Sequence, residues 1–568
     1  MKINPITFPQ PSPSPKLPTV TMPSSIQKPA PQPQEGALNT QWFKDAARTF
    51  DQWNRDIPPL PVTGNQVVTY INLMDYYTAL GQAIRKTRSN LADFVYISGW
   101  ELNLDTFIDP PGVSPRQTLR ELLSSAILLR NVEVRVLLPD QPNNANNRST
   151  LEQVAKMKGG GILDSFHKLL GTHHQKLVII RNAEGVFGFC GGMDIANERL
   201  MREGDVHKKE APWHDVQVRV SGPAAADLWN SFVQRFKELS NRYVNYTILP
   251  LSNKLKGIEA NFPLSIREPD FAASKTNNNG LNVQVVRTYP NMQKKHFGDG
   301  LIIYPRQAGY NFARNGEMSI YNLLNHAISR TSRTIYLEDQ YLVNSVSMGQ
   351  HPPITEALRR TIEKSSFIKM IILIAGNGTV EMELCQVASR RAEFIKQLGP
   401  LAAKKVAVYA YKGDNNSPYW LHSKTWIFDD QFTVVSSANC NRRGYSYDSE
   451  IGVGISGSII NGQIPFAQRL RMDLWLKHLN QIKEGSQVQQ SRKLGDFNVK
   501  DFAAAASLWD TAPLLQNISV DLTQNVKSDI PLINCKNLKF KGIPPDILKD
   551  KDIHNRDFEW SLIDPDGS

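Results

Sequence analysis

Short apolar runs alternate with amphipathic stretches along most of the chain, and this alternation predicts an α/β protein. In the first half, the apolar runs at 95–101 and 132–138, among the runs rich in Val, Ile and Tyr, predict buried strands, with a helix over 116–130 between them. Further strands are predicted at 176–180 and 186–190. Their lengths and β-branched composition are typical of strands in a sheet that helices cover.

The same order of elements recurs in the second half. It comprises strands at 334–341, 368–374, 425–428 and 432–435, with helices at 354–363 and 381–397. Such duplication predicts two similar mixed-sheet α/β/α lobes related by a pseudo-two-fold axis, so that equivalent positions meet at the interface. We expect an N-terminal lobe over 37–270 and a C-terminal lobe over 271–480, with a C-terminal cap or extension over 481–568.

Residues 1–36 are crowded with Pro, Ser and Gln, a composition that predicts a flexible arm. The first residues contain no continuous apolar segment of the signal-peptide type. The best later apolar run, 367–375, is interrupted by Lys369 and is far shorter than the roughly 18 residues of a membrane-spanning helix. We therefore expect peripheral membrane contact, and location either in the cytoplasm or outside the cell by a route without a cleavable signal.

The net charge of +11 suits a partner that carries phosphate, such as a lipid surface, a nucleic acid or a small phosphodiester. A basic soluble enzyme would show the same charge. The cysteines are far apart and form no C-x-x-C pair, which argues against a zinc knuckle or a dense disulfide framework. They are interpreted as buried thiols: Cys190, Cys385, Cys440 and Cys535.

Two His-x-Lys elements stand at equivalent positions of the two halves, one from His174 to Lys176 and the other from His422 to Lys424. Because residues i and i+2 of a strand share a face, each half presents an imidazole and an ammonium together. Each element is followed by a turn of small residues that ends in Asp or Asn. These turns are Gly191-Gly192-Met193-Asp194 and Ser436-Ser437-Ala438-Asn439.

The second element resembles the HxKxxxxDxxxxxxGSxN signature of the phospholipase D superfamily, with Ser436 in the usual Gly position. The stretches 212–216, 221–225 and 448–451 continue the resemblance, which covers roughly 90–480 and is close to the eukaryotic-type, dual-motif phospholipases. Arg181 departs from it, since it occupies the Asp position of the first motif. Similar bacterial proteins include toxins delivered by contact-dependent secretion, which would imply a secretion-system or immunity partner.

The resemblance implies a phosphodiesterase site without a metal or other cofactor, and the sequence contains no Asp/His cluster with two-metal spacing. His174 would be the nucleophile, with Asp215 orienting its ring. His422 would be the acid and base, with Glu450, or less readily Asp448, orienting its ring. The remaining implied site residues are the charge-neutralising Lys176 and Lys424 and the substrate-binding Asn439, Ser437, Asp194 and Gly192.

Several neighbouring residues have two interpretations. His173 and His214 point away from the site by strand alternation, which favours structural roles. Glu338 and Gln340 belong to a strand near the site and would support it from behind. The aromatic residues could line a lipid groove or belong to the core: Trp100, Trp213, Tyr341 and Trp420.

The sequence therefore predicts a phospholipase D that releases phosphatidic acid and a head-group alcohol at a phospholipid surface. With that function no nucleic-acid partner is expected. The alternatives within the enzyme class are a phosphodiesterase that acts on nucleic acid and a cardiolipin-synthase-like phosphatidyltransferase. An alternative from another class is an inactive lipid- or phosphate-binding protein. Head-group preference and oligomeric state stay open.

Overall fold

A computed structural model describes fifteen stretches of the chain, from Val62 to Ile518. They are 62–89, 92–140, 145–166, 171–199, 213–245, 269, 271, 280–292, 310–345, 351–375, 390–411, 420–459, 464–479, 499–511 and 515–518. The predicted arm over 1–36 and most of the predicted C-terminal extension lie outside these residues.

We refer to the part from the first described strand to the first long helix as lobe one. Its strands are β1 (Val62–Tyr70), β2 (Phe94–Ser98), β3 (Glu133–Pro139), β4 (Gly160–Asp164), β5 (Leu177–Asn182), β6 (Gly185–Gly191), β7 (Trp213–His214) and β8 (Gln217–Ser221). Its helices are α1 (Leu73–Arg85), α2 (Leu119–Arg130), α3 (Ala145–Lys156), a 3-10 turn (Asn197–Arg199) and the long α4 (Ala224–Asn245).

Lobe two repeats this arrangement. Its strands are β9 (Leu281–Tyr289), β10 (Glu317–Met318), β11 (Thr334–Asp339), β12 (Lys369–Ile374), β13 (Val406–Tyr411), β14 (Trp420–Leu421), β15 (Lys424–Phe428), β16 (Phe432–Ser436), β17 (Glu450–Ser456), β18 (Ser458–Ile459) and β19 (Ile464–Pro465). Its helices are α5 (Ser319–Arg330), α6 (Ile354–Ile362), a helical segment over 390–397, α7 (Ala402–Lys405), a π-helix (Arg443–Tyr447) and α8 (Phe466–His478).

Both lobes contribute to one mixed sheet, which is continuous through the antiparallel pair β1 and β9. Outward from β1 the order is β8, β6, β5, β2, β3 and β4, and outward from β9 it is β17, β16, β15, β11, β12 and β13. In each direction the first neighbours are antiparallel and the last two pairs are parallel. The duplicated sequence pattern therefore corresponds to a duplicated strand order, and the fold is of the α/β class, as predicted.

Helices cover both faces of the sheet, which explains why the inner strands are apolar on both sides. Side chains of α4 and α8 join strand residues of both lobes in one continuous core, which includes Phe232, Val283, Val453 and Trp475. The opposite face is covered separately in each lobe, by α1 to α3 and by α5 and α6. The shared core holds the lobes together, and the two His-x-Lys elements lie directly before β5 and at the start of β15.

Most of the predicted elements are found with boundaries displaced by a few residues. The sequence pattern did not predict the strands β1, β4, β8, β9, β13 and β17, the two-residue strands β7, β10, β14, β18 and β19, or the helices α1, α3, α4, α5, α7 and α8. Of the predicted helix over 381–397, residues 390–397 are helical, and the earlier part lies outside the described residues.

Residues beyond α8 lie against lobe two. A short helix α9 (Phe502–Ala506), a 3-10 turn (Ser507–Thr511) and a strand β20 (Leu515–Ile518) are described there, and β20 pairs antiparallel with β13 at the edge of the sheet. Trp509 packs its ring against Trp475 of α8 and Tyr336 of β11. The two described cysteines, Cys190 and Cys440, are buried thiols, as expected.

None of the helices in the described ranges combines the length and the apolarity that crossing a bilayer requires.

The motif position Asp429 has a structural role in lobe two. Its carboxylate accepts hydrogen bonds from the backbone N–H groups of Ser332, Arg333 and Thr334, at 2.8 Å each, and so fixes the chain where β11 begins. In lobe one the loop ahead of β2 is held from within, because Asp93 accepts from the Arg88 N–H at 2.7 Å. Arg181 therefore replaces a residue whose structural function another carboxylate supplies.

This difference predicts that substitutions at the two motif positions affect the free energy of unfolding to different extents. Asp429→Asn keeps a residue type that tolerates the positive φ of 50° but removes the charge that the three N–H groups share, so we expect a loss of about 1–3 kcal/mol in the free energy of unfolding. Arg181→Asp should change that free energy by less than about 0.5 kcal/mol. Urea unfolding of both variants measures the two effects, and equal destabilisation would contradict the assignment.

Candidate active site

The two histidines of the His-x-Lys elements face each other at the interface of the lobes. The ring centroids of His174 and His422 are 6.4 Å apart, with the ring planes at 64°. Their side chains are 14% and 8% exposed, so each ring reaches solvent only at an edge. The structure therefore brings both elements to one cleft, as the repeated motif predicts.

Each ring is held by a carboxylate of the opposite lobe. Nδ1 of His174 lies 2.9 and 3.0 Å from the two carboxylate oxygens of Glu450, and Nδ1 of His422 lies 2.6 Å from Oδ2 of Asp215. The assignment expected from the sequence, Asp215 with His174 and Glu450 with His422, is therefore wrong in its pairing. Asp448 is not a substitute for Glu450, since its carboxylate binds the Thr172 N–H and the Arg443 guanidinium.

Backbone pairing explains why the partners cross between lobes. The His174 N–H donates to the carbonyl of Ser449, the residue before Glu450, at 2.9 Å. In the other half, the His422 N–H donates to the carbonyl of His214, the residue before Asp215, at 2.8 Å. Each histidine segment thus pairs with the segment that carries the carboxylate of the other lobe. Spacing along the chain contains no signal for this exchange.

Each lysine turns its ammonium toward the carbonyl of its own histidine residue. Lys176 Nζ donates to the His174 carbonyl at 3.0 Å and lies 3.1 Å from Oδ2 of Asp194. Lys424 Nζ donates to the His422 carbonyl, and the Gln340 side-chain oxygen is 3.4 Å away. Both lysines are almost fully buried, so their charges act at short range in a medium of low polarity.

The small-residue turns support the carboxylates, which corrects part of the expected substrate-binding set. A Cβ added at Gly192 would collide with the Asp215 carboxylate, so glycine makes room for that group. At the equivalent position of lobe two, the Ser437 hydroxyl donates to Glu450 and accepts from the Ile451 N–H. Both positions therefore serve the His–carboxylate pairs and are not placed as direct ligands of a phosphate.

The last residues of the two turns differ in their surroundings. Asp194 accepts from the Trp100 N–H at 3.0 Å with one oxygen and faces Lys176 with the other. The side-chain oxygen of Asn439 is buried and has no hydrogen-bond partner among the described residues. The Asn439 oxygen therefore has a hydrogen-bonding capacity that none of the described residues uses.

Arg199 is a site residue that sequence reasoning missed. Its guanidinium lies 3.7 Å from the ring centroid of Trp213, and the Trp213 ring lies 4.7 Å from that of His422. It is also 3.8 Å from the carboxylates of Asp194 and Glu101. The comparison of the two halves could not reveal it, because it belongs to the 3-10 turn after β6, and lobe two has no such turn between β16 and its π-helix.

The remaining neighbours divide into structural residues and residues near the cleft. His173 bonds to Ser98 Oγ and Asp164 behind the site, as strand alternation predicts. His214 is likewise buried and bonds to Glu338. Trp213 is at the cleft, whereas Trp420 is described only through its backbone pairing with Trp213.

Burial and the surrounding cations set the protonation of the site. Burial, followed by the nearby Lys176 and Lys424, lowers the pKa of His174 well below its usual range, and burial with Lys424 and Arg199 does the same for the pKa of His422. Burial raises the pKa of Asp215 to about 7 and lowers that of Lys424 to about 8. The rings are therefore neutral near pH 7, while an additional proton on the His422–Asp215 pair remains accessible.

The crossed pairs predict where energetic coupling is found. In double-mutant cycles on the free energy of unfolding, His174→Ala with Glu450→Gln and His422→Ala with Asp215→Asn should each show about 0.5–3 kcal/mol of coupling. The same-lobe combinations, His174 with Asp215 and His422 with Glu450, should couple clearly less. Larger coupling in the same-lobe cycles would contradict the pairing.

The chain is similar to several known proteins. Two family models match the chain: "Phospholipase D" over residues 200–359 and "Cardiolipin synthase, PLD-like domain" over residues 324–472. The second match contains the element from His422 to Lys424 and extends beyond Glu450. The crystal structure of phosphatidylserine synthase from Haemophilus influenzae superposes with a TM-score of 0.47 at 13% identity, covering 73% of this chain and 86% of that one.

Curated relatives named phospholipase D align with most of the chain. Phospholipase D gamma 1 of Arabidopsis thaliana is 25% identical over 79% of this chain and 68% of its own length. Phospholipase D alpha 3 of the same plant is 24% identical over 77% of this chain and 67% of its own length. The two matching family models and these relatives support the phospholipase D superfamily for this chain, in keeping with its two His-x-Lys elements.

Proposed function

We propose that this protein is a phospholipase D that cleaves the distal phosphodiester of glycerophospholipids into phosphatidic acid and a head-group alcohol. The observation that carries the proposal is the pair of facing imidazoles, each held at Nδ1 by a carboxylate of the other lobe. Their Nε2 atoms point away from the carboxylates. When a phosphorus atom lies between two such nitrogens, one can attack it while the other protonates the departing oxygen.

The phosphate would be bound by the cations around the two rings. A phosphodiester is anionic and repels a nucleophile unless its charge is neutralised, which Lys176 and Lys424 do as compact charges. Asn439 adds a side-chain amide whose buried oxygen has no hydrogen-bond partner in the described part of the chain, and either end of an amide can be turned toward a ligand. Asp194 would repel a phosphate directly, so we assign it to holding Lys176 in place.

In the proposed first step, Nε2 of His174 attacks phosphorus while His422 gives its proton to the departing head-group oxygen. In the second step, His422 takes a proton from water, which displaces the histidine from phosphorus. The order of roles follows the family resemblance. The lowered pKa of His174, caused first by burial and then by Lys176, keeps its lone pair available for attack.

The proton for the leaving group has a place in the site. Because burial raises the pKa of Asp215 to about 7, the His422–Asp215 pair holds an extra proton in a substantial fraction of molecules near neutral pH. Binding of an anionic phosphate offsets the surrounding cations and makes a proton on His422 more favourable. The pair therefore suits donation in one step and acceptance in the next.

A lipid substrate is supported by the names of the relatives and by the charge of the chain. The net charge of +11 would favour peripheral contact with a membrane surface that carries anionic lipids. If the covalent phosphatidyl-histidine forms, a primary alcohol competes with water for it and gives a phosphatidyl alcohol. This transfer distinguishes the two-step route from direct hydrolysis.

The proposal predicts head-group release from phospholipid vesicles in the presence of EDTA, and a phosphatidyl alcohol when ethanol is added. Mass spectrometry of the lipid products measures both. Cleavage of DNA without lipid turnover would favour the nuclease-like alternative, and transfer to phosphatidylglycerol without hydrolysis would favour a synthase. Tight vesicle binding with no turnover of any phosphodiester would favour a binding protein.

Both histidines should be required for this turnover. His174→Ala and His422→Ala should each lower kcat by at least about 10⁴-fold, since the two rings act in one displacement sequence and removing either costs about as much as removing both. Arg181→Asp restores the Asp that the first motif usually has at this position. It serves as the matched control and should retain kcat within about threefold. Comparable activity in either histidine variant and the parent would contradict the mechanism.

The pKa of Lys424 predicts an alkaline limit to substrate capture. Burial lowers this pKa to about 8, so the cation is present below pH 8 and is lost above it. The value of kcat/KM, which reports the free enzyme, should fall above about pH 7 as the His422–Asp215 pair loses its extra proton, and more steeply above about pH 8 as Lys424 loses its charge. Lys424→Arg should remove the steeper fall above about pH 8 and keep the one above about pH 7, because arginine stays charged. A steeper fall above about pH 8 that persists in Lys424→Arg would contradict this.

A further inference from the structure

A buried hydrogen-bond group stands behind the His422 half of the cleft and takes no part in the proposed chemistry. Glu338 of β11 accepts from Nε2 of His214 at 2.9 Å, from Nε2 of His478 at 2.7 Å and from the Tyr336 hydroxyl at 2.7 Å. The four side chains are at most 1% exposed. We call this group of four residues the Glu338 brace: His214, Tyr336, Glu338 and His478.

The brace is an ionised carboxylate held by neutral donors. Burial opposes the ionisation of Glu338, but His214 and His478 beside it hold its pKa well below its usual range. Burial also lowers the pKa of both histidines, to about 3 for His214. Each ring therefore donates from Nε2–H, and the contacts fix both tautomers. Breaking one partner away would leave a buried charge with fewer donors, so the brace is rigid.

The brace is attached directly to the catalytic pair. His214 is the residue before Asp215, and its carbonyl accepts from the His422 N–H at 2.8 Å. Asp215 in turn holds Nδ1 of His422 at 2.6 Å. The side chain of His214 anchors this short strand to β11, and His478 anchors Glu338 to the last turn of α8. The position of the Asp215 carboxylate thus depends on a helix that does not reach the cleft.

The His174 half has a matching arrangement built from other residues. Ser449 precedes Glu450, its carbonyl accepts from the His174 N–H, and its hydroxyl accepts from Arg235 of α4 at 3.1 Å. Arg235 also donates to Gln175 and to the buried Asp164. In both halves, a long helix of one lobe holds the residue that precedes the other lobe's carboxylate. The repetition with different chemistry indicates a shared mechanical purpose.

We propose that Glu338 and His478 are positioning residues that align Asp215 and, through it, the proton-transfer nitrogen of His422. The inference rests on the proposed function and adds residues that touch no reacting atom. If the brace is broken, the His422 ring loses its fixed orientation while the lysines that bind phosphate remain. Proton transfer to the leaving oxygen should then suffer more than substrate binding.

The test compares leaving groups in three variants. His478→Leu removes the donor to Glu338, His478→Gln restores an N–H donor, and Leu474→Ala removes a fully buried apolar side chain one turn earlier on the same helix as a control for destabilisation. Each is assayed on phosphatidylcholine and on the p-nitrophenyl ester of phosphatidic acid. The nitrophenolate leaves with little need for protonation, so its release depends less on His422.

We expect His478→Leu to lower kcat on phosphatidylcholine by about 10- to 100-fold, with KM within about threefold and a much smaller loss on the nitrophenyl ester. His478→Gln should recover most of the lost kcat. Leu474→Ala, at a comparable fall in Tm, should affect both substrates little and equally. Equal loss on both substrates in His478→Leu, or the same leaving-group dependence in Leu474→Ala, would overturn the positioning role.

Two further measurements keep the inference separate from its rivals. The donor atoms of His214, Glu338 and His478 lie within 4.8 Å of one another and could hold a metal ion, so stoichiometric metal in the purified protein that is lost in His478→Leu would replace the brace with a metal site. Failure of the proposed function would show as no turnover of either ester by the parent protein. A double-mutant cycle on the free energy of unfolding then tests the connection between the brace and Asp215. Additive effects of His478→Leu and Asp215→Asn would overturn the positioning role.

Discussion

The crossed hydrogen bonds between the histidine of each His-x-Lys element and a carboxylate of the other lobe are the constraint on which the site depends. His174 with Glu450 and His422 with Asp215 are formed only when the strand ends of the two lobes meet. Neither lobe holds a histidine in a defined tautomer by itself. The proposed chemistry therefore requires the duplicated fold, because each half supplies the orienting group that the other lacks.

The packing of the lobes serves this exchange. The continuous sheet through β1 and β9 and the core shared by α4 and α8 fix the two halves as one body around the cleft. Buried polar contacts then set the fine position of the two carboxylates, with Arg235 behind the His174 half and the Glu338 brace behind the His422 half. A buried charged group adds little net stability, but it defines one geometry, since alternatives leave it without partners. The proposed two-histidine mechanism requires such a defined geometry.

Much of this organisation could be predicted from the sequence. The apolar runs at β2, β3, β5, β11 and β12 are strong strand signals, and the repeated His-x-Lys elements located the cleft. The strand β4 was missed because it opens on glycines, where Gly161 admits the close approach of Leu151 and supplies no side chain to the pattern. The joining strands β1 and β9 were missed because each contains polar residues, such as Asn65 and Gln284, that are buried by contacts distant in sequence.

The finer assignments failed for a related reason. The pairing of carboxylates with rings depends on which segments meet across the interface, and spacing along the chain does not encode that choice. Ser437 and Gly192 were expected to face the substrate because the motif places them beside the histidines, yet they face Glu450 and Asp215. Arg199 and His478 lie outside the repeated motif and are recognised only by their contacts.

We propose that the two rings form one reaction centre, in which His174 is the nucleophile and His422 is the acid and base. A substrate with an activated leaving group, such as the p-nitrophenyl ester of phosphatidic acid, should let His422→Ala form the covalent intermediate but not hydrolyse it. Acid quenching after brief exposure, followed by peptide mapping in a mass spectrometer, should place the phosphatidyl group on His174 in that variant and find none in His174→Ala. Label on His422 in His174→Ala, with none on His174 in His422→Ala, would reverse the roles, and no label on either ring would contradict the covalent mechanism.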